Sequence, residues 1–292
     1  MTEKNNGEKN RTIKGALYLV GTPIGNLTDI SERALKVLSE ADFIAAEDTR
    51  NSLRLLTHFG IQKPMVSYFE HNKQERGEQI IARLKSGETC ALVTDAGMPA
   101  ISDPGEDLVK LCIENGVTVT TVPGPCAAIT ALTLSGLSTA KFTFEGFLPA
   151  QKSERRAALA ELSGERRTMI FHEAPHKLKA TLSDMAAAFG EERQIALCRE
   201  LTKLNEEITR LTLGDAVKYY AENEPRGEFV LVVEGGKKNA NNSCFWSEMS
   251  IRAHVSHYIE LGMSKNDAIK ATAKDRGLNK NSVYQEVLDL KA

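Results

Sequence analysis

Charge of one sign is not in excess. Across 292 residues, 37 Lys and Arg oppose 39 Asp and Glu, a formal net charge of -2. A protein that grips nucleic acid through its overall field carries a basic surplus, so any such contact here is a local patch. Long hydrophobic runs are missing too. The most apolar stretch, residues 117–137, is broken by Pro123, Gly124 and Pro125 and interleaved with threonines, whereas a membrane span needs about 20 apolar residues without such breaks. Residues 1–14 are polar and lack an apolar h-region, which reads as a disordered tail and not as a signal peptide. The expectation is a soluble, cytoplasmic protein with no membrane partner. The five cysteines, Cys90, Cys112, Cys126, Cys198 and Cys244, stand far apart and form no C-x-x-C pair. Zinc and thioredoxin-like chemistry are therefore without support. Several lie in apolar runs, as buried thiols of a reducing compartment do. A P-loop, a G-x-G-x-x-G fingerprint and a G-x-S-x-G nucleophile elbow are also missing.

What is present is ordinary globular composition, 41% hydrophobic and 26% charged, which excludes disorder of the whole chain. The length suits about two domains. Residues 16–20, 43–46, 65–69, 89–93 and 118–122 read as short buried strands. Helices fall between them: one capped by Thr28 or Ser31 and running to about Ser39, then about 49–59, 74–85 and 107–114. Another opens at Pro125 and runs to about Ser135. This α/β alternation predicts a parallel sheet covered on both faces, with ligands beyond the carboxyl ends of its strands.

A second unit starts near Lys141. Strands are expected at 142–144, 168–171, 194–198, 207–213 and 228–233, with helices capped by Ser153 and opened by Pro175. Fewer helices separate these strands, so the second sheet should be mixed. Residues 237–243 form a polar, Asn-rich linker, and about 247–261, 265–276 and 281–290 read as three short helices spaced like a helix-turn-helix. Gly262 and Gly277 punctuate them, and Ser264 suits an N-cap. The division is a tail (1–14), two α/β domains (15–138 and 139–236), the linker, and a helical domain (244–292).

Four turns that follow strands stand out: Gly21–Asn26, Glu47–Arg50, Asp95–Gly105 and Pro123–Pro125. The first suits a structural turn or a ligand turn equally. In the third, two Pro, two Gly and two Asp within eleven residues give a rigid backbone with exposed amides and carboxylates. That suits a polar ligand better than a plain connection. His172 and His176 invite a metal, yet Pro175 lies between them and the spacing is not H-E-x-x-H, so no metal is expected. Arg199, Glu200, Lys203, Glu206 and Glu207 form a charged cluster that reads as a solvated loop or a functional one. The lysines of the last helices, Lys274 and Lys280 among them, suit a solvated face or an RNA contact.

Taken in order, Thr22–Leu27, Ala45–Arg50, Asp95–Gly105, Val122–Ala128 and Glu145–Pro149 resemble the tetrapyrrole-methylase superfamily of S-adenosylmethionine-dependent methyltransferases. Within it they resemble the bacterial ribosomal RNA small-subunit methyltransferase I family. Glu173–His176, Arg199–Lys203 and Gly227–Glu228 extend the likeness to about residues 15–290. Met98 stands where members of the family often have Thr. The resemblance implies two α/β domains with the cofactor, S-adenosylmethionine, in the cleft between them, in a homodimer. It implies methylation of the ribose 2′-hydroxyl of a decoding-centre cytidine in 16S ribosomal RNA of the 30S subunit, and no DNA partner. It places Pro23, Ile24, Asp95, Ala96, Gly97, Ile101, Ser102, Asp103, Cys126, Ala127, Glu173, Gly227, Glu228 and Phe229 around the cofactor. The base is open between Glu47, Asp48 and Glu200, with Arg50, Arg199 and Lys203 placed to hold substrate phosphate. Two rival readings are a methylase of tetrapyrroles or of a modified histidine, and a non-catalytic RNA-binding relative that keeps the fold.

Overall fold

A computed structural model describes residues 12–236, 246, 249–261 and 263–288. The contacts group residues 1–235 and 236–292 into two compact units. The first holds two five-stranded sheets.

The first sheet is built from β1 (Leu17–Val20), β2 (Phe43–Ala46), β3 (Met65–Ser67), β4 (Cys90–Val93) and β5 (Val119–Val122). Its order is β3-β2-β4-β1-β5 and every pairing is parallel. The strands β2 and β4 are buried at every position, as a sheet covered on both faces requires. Helices α1 (Glu32–Glu40) and α2 (Thr49–His58) cover one face through Ala34, Val37, Leu38 and Leu56. Helices α3 (Lys73–Lys85) and α4 (Gly105–Glu114) cover the other through Ile80, Ile81, Leu84, Leu108 and Cys112. Ser31, not Thr28, caps α1: its side chain accepts from Ala34 N.

The chain then changes sheets. Helix α5 (Ala127–Ser135) follows β5, yet Ala128, Ala131 and Leu132 pack on Ile170, Ala196, Cys198 and Val230 of the second sheet. Pro125 does not open α5. Cys126 is its N-cap, and Pro125 belongs to the turn before it. The second sheet comprises β6 (Phe142–Phe147), β7 (Thr168–Glu173), β8 (Gln194–Arg199), β9 (Glu207–Thr212) and β10 (Phe229–Val233), in the order β6-β7-β10-β8-β9. Only β6 and β7 pair in parallel, so the sheet is mixed as expected. The strand β6 runs on through Phe147 because a bulge between Phe144 and Gly146, where Gly146 has φ +65°, absorbs the irregularity.

Helices α6 (Lys152–Glu161), α7 (Pro175–Phe189) and α8 (Leu213–Glu222) cover the face of this sheet opposite α5. The N-cap of α6 is Gln151, so Ser153 falls inside its first turn. Arg155 and Asp184, 6% and 4% exposed, join α6 to α7 through hydrogen bonds of 2.9 and 2.7 Å.

The second unit contains α9 (Ile251–Glu260), α10 (Lys265–Arg276) and α11 (Lys280–Glu286) around Val255, Ile269, Val283 and Val287. Ser264 caps α10, and Gly277 closes it at φ +61°. Residues 1–11 of the expected tail over 1–14, the linker 237–243, Cys244 and Gly262 lie outside the described residues. No helix among the described residues is long and apolar enough to cross a membrane.

Candidate functional site

The carboxyl ends of β1, β4 and β5 send their loops toward the second sheet, and close backbone contacts set them. Thr22 and Gly97 exchange backbone hydrogen bonds of 2.9 and 3.1 Å, and the Thr22 hydroxyl donates to Thr94 O at 3.2 Å. A Cβ on Gly21 would lie 2.7 Å from Gly124 Cα, so the loops after β1 and β5 meet at a pair of glycines. Asp103 folds the loop after β4 by accepting from Ala100 N, Ile101 N and Gly105 N at 3.0, 3.3 and 2.7 Å.

All four non-glycine residues with positive φ among the described residues lie in two loops here: Ala100 and Ser102 in one, Glu200 and Thr202 in the other. Such strain persists where the surroundings hold it, and it gathers at functional sites.

These loops and the second sheet enclose a cavity of about 500 Å³. Ile24, Ala96, Gly97, Met98 and Ile101 form its wall from the first sheet. Cys126, Ala127 and Ala128 line it at the start of α5, and Phe147, His172, Glu173, Pro175 and His176 come from β6, β7 and α7. Ala174, Cys198, Glu200, Leu201, Lys203, Glu228, Phe229 and Val230 complete it.

Glu173 is 5% exposed and accepts from Ala174 N at 2.8 Å and from the Thr181 hydroxyl at 2.5 Å. Lys203 Nζ bridges Glu200 and Glu228 at 2.9 and 2.8 Å, and Glu200 also accepts from Glu228 N at 2.9 Å. The Glu228 amide and Lys203 hold the Glu200 carboxyl below its ordinary range. Burial opposes the charge on Lys203, but the two carboxylates outweigh it and raise the ammonium above its ordinary value. Gly227, at φ +79°, makes room for this cluster: a Cβ there would lie 2.5 Å from Glu200 Cγ. Burial pushes the His172 imidazole toward its neutral form. Its Nε2 is buried with no partner, and its ring makes T-shaped contacts with Phe144 and Phe147.

A second cavity, of about 370 Å³, adjoins the same loops and is lined by Pro23, Gly25, Leu27, Thr94 and Asp95 together with residues of α2. The Asp95 carboxylate accepts from Asp48 N at 3.3 Å and Asn51 Nδ2 at 3.0 Å. Asp48 caps α2, and its carboxylate is engaged by Arg50 N, Nε and Nη2 at 2.8, 3.1 and 2.7 Å, which holds it down to about 2. Burial raises Glu47, and the hydrogen bond from Thr94 Oγ1 at 3.1 Å opposes the rise only in part.

The structure therefore brings Ile24, Ala96, Gly97, Ile101, Cys126, Ala127, Glu173, Glu200, Lys203, Glu228 and Phe229 to the large cavity. Pro23 and Asp95 line the smaller one. Ser102, Asp103, Gly227, Arg199, Glu47, Asp48 and Arg50 line neither. Arg199 pairs with Glu207 at 3.1 Å. Lys274 and Lys280 are exposed on α10 and α11 of the second unit. Sequence reasoning did not assign Met98, Ala128, Phe147, His172, His176, Cys198, Leu201 or Val230 to the site. The two histidines carry a signal, since they flank a strand-to-helix turn, but their spacing in the sequence points only to a metal motif. Among the described residues no cluster of three His, Cys, Asp or Glu could hold a metal ion.

The family model of tetrapyrrole (corrin/porphyrin) methylases matches residues 16–217. The chain is 52% identical over 275 residues to the protein of Halalkalibacterium halodurans named ribosomal RNA small subunit methyltransferase I, covering 94% of this chain and 95% of that one. It is 47% identical over 272 residues to the Bacillus subtilis protein of the same name, covering 92% and 93%. Among solved structures it is similar to a cobalt precorrin-4 methyltransferase, with a TM-score of 0.57 at 18% identity, covering 75% of this chain and 95% of that one. It is also similar to a uroporphyrin-III C-methyltransferase of Thermus thermophilus, with a TM-score of 0.55 at 20% identity, covering 75% and 94%. The two structural likenesses establish the fold.

Proposed function

We propose a substrate and a reaction from one premise: this chain belongs to the tetrapyrrole (corrin/porphyrin) methylase family and, within it, to the ribosomal RNA small subunit methyltransferase I family. The chain is a methyltransferase of small-subunit ribosomal RNA. In our reading the methyl donor is S-adenosylmethionine, and the acceptor is the ribose 2′-hydroxyl of a decoding-centre cytidine of 16S ribosomal RNA in the 30S subunit. The observation that carries the small-subunit ribosomal RNA substrate is likeness over more than nine tenths of the chain to proteins of that name.

The large cavity suits the donor. It has the size of a small-molecule site. Among its charged side chains the carboxylates Glu173, Glu200 and Glu228 outnumber Lys203, a negative balance that complements a positive charge. Its walls at Ala96, Gly97, Ala127 and Ala174 offer backbone amides and carbonyls. A donor without phosphate needs no P-loop lysine. When bound, S-adenosylmethionine supplies a methyl group already activated by its sulfonium charge.

The chain then has to align the acceptor hydroxyl, exclude water and take up one proton. Ile24, Met98, Ile101 and Phe147 give the cavity its apolar wall. Among the three carboxylates weighed as base, Asp48 and Glu200 are held in the charged, weakly basic form by their partners. Glu47 is the one raised, and its hydrogen-bond partner Thr94 lines the smaller cavity, so we propose Glu47 as the group that accepts the hydroxyl proton. Arg50 and Arg199 hold RNA phosphate in this reading, Lys203 stays with Glu200 and Glu228 at the donor cavity, and the exposed Lys274 and Lys280 of the second unit are separate RNA contacts.

The test is transfer of labelled methyl from S-adenosylmethionine to 30S subunits of a strain lacking the enzyme. Label should enter the ribosomal RNA and not the ribosomal proteins. Label on protein, or on a tetrapyrrole but no RNA, would overturn the substrate.

A further inference from the structure

The smaller cavity is assigned no ligand in the reading above. The two cavities share the loop Pro23–Gly25, since Ile24 lines the larger and Pro23 and Gly25 the smaller. Pro23, Leu27 and Leu55 give it an apolar wall, and Asn51, Thr94 and Asp95 a polar one. Arg54 and His58 follow Asn51 along one face of α2 at intervals of three and four residues, and both are exposed.

Two features point to a ligand there. Ser52 lines the cavity, is only 4% exposed, and its Oγ has no hydrogen-bond partner. Buried hydroxyls nearly always have one. Asn51 is fixed with its Nδ2 on Asp95, which leaves its amide oxygen as an acceptor for a ligand in the cavity. The volume of about 370 Å³ is within the range of small-ligand pockets.

We propose that this cavity is a nucleotide subsite for the RNA acceptor, a refinement that rests on the ribosomal RNA reading. An unstacked base lies against Pro23, Leu27 and Leu55 with its polar edge toward Ser52 and Asn51. Its phosphate sits on Arg54 and His58. Single-stranded RNA is read in this way, by splayed bases with hydrogen-bonded edges. The Asp95 carboxylate and the Asn51 oxygen accept hydrogen bonds, so an edge carrying an exocyclic amine, as cytosine has, suits the pocket better than uracil.

Cytidine 5′-monophosphate titrated into the full chain tests this, read by the imidazole resonances of labelled histidine with His58 assigned through His58→Gln. The His58 resonance should move saturably, and uridine 5′-monophosphate should move it less. Arg54→Ala should weaken the response about tenfold. Ser52→Val, which places a methyl group where the unpaired hydroxyl lies, should weaken it too. S-adenosylmethionine affinity should stay unchanged in both. Arg54 is exposed, so its variant folds even if that at Ser52 does not. An unmoved His58, or an undiminished response in Arg54→Ala, overturns the subsite.

In the second arm, Arg54→Ala should raise the KM for 30S subunits about tenfold and lower the salt slope of RNA binding by about 1. An unchanged KM beside a clear nucleotide response would mean a pocket for free nucleotide, which overturns the RNA assignment. If wild-type protein leaves 30S subunits unlabelled, the ribosomal RNA reading fails, while the His58 titration still decides whether a nucleotide binds.

Discussion

Side chains of similar type differ in acidity here because their partners differ. Glu47, Asp48 and Glu200 are all carboxylates at strand ends, and only Glu47 is raised. A base acts in its deprotonated form, so under the proposed role of Glu47 the rate should climb as pH rises through a value above that of an ordinary glutamate. Thr94 lowers Glu47 by donating to it. Thr94→Val should therefore move the acid limb of the pH–rate profile to higher pH. Glu47→Gln should cut kcat by about 10² to 10⁴ and leave S-adenosylmethionine affinity intact. An acid limb that stays in place in Thr94→Val would contradict the assignment. The sequence marked these segments well, since rigid Gly/Pro turns after strands are visible as strings of residue types. It did not reveal which way neighbours face. Asp95 and Ala96 are adjacent, yet one lines the smaller cavity and the other the larger. Ser52 gave no signal, because a lone serine in a helix differs from its neighbours only once its burial is known.

At the scale of elements, capping and periodicity place most helices, and local signals fail where tertiary contacts decide. Ser31 and Ser264 cap as their positions suggest. Pro125 is drawn out of its helix into the tight turn that brings Gly124 against Gly21. The join between α6 and α7 was not legible either, because Arg155 and Asp184 are 29 residues apart and look like surface charges in the sequence. Removing one partner of such a pair leaves the other charge buried, so Asp184→Asn should cost about 3–5 kcal/mol, measured by chemical denaturation at neutral pH. Burial pushes the Asp184 carboxyl up, but Arg156 and Arg155 outweigh it and hold it below its ordinary value. Its contribution is therefore present above the unfolded-state pKa of about 3.9 and is lost as pH falls through the lower folded-state value. The gap in stability between wild type and Asp184→Asn should narrow in acid over that window. A constant gap would show that the pair does not act through charge.

Across the whole molecule, α5 is the element that sequence order misplaces most. It follows the first sheet in the chain and packs on the second, so the start of α5 lines the large cavity while its body sits in the core of the second sheet. Alternation of strands and helices foretells two sheets but not this exchange, which depends on long-range packing. The second unit, from residue 236, folds around its own small core. Ending the chain at Gly235 should weaken RNA binding and leave S-adenosylmethionine affinity unchanged, as compared by titration of each ligand. Equal RNA affinity would remove Lys274 and Lys280 from the interface. The central claim is a methyl group placed on a ribose oxygen of small-subunit RNA. It is tested most directly by reacting undermodified 30S subunits with labelled S-adenosylmethionine and mapping the product by alkaline hydrolysis. One alkali-resistant linkage, after a single decoding-centre cytidine and carrying the label, is the predicted result. Label on a base, with every linkage still alkali-labile, would contradict it.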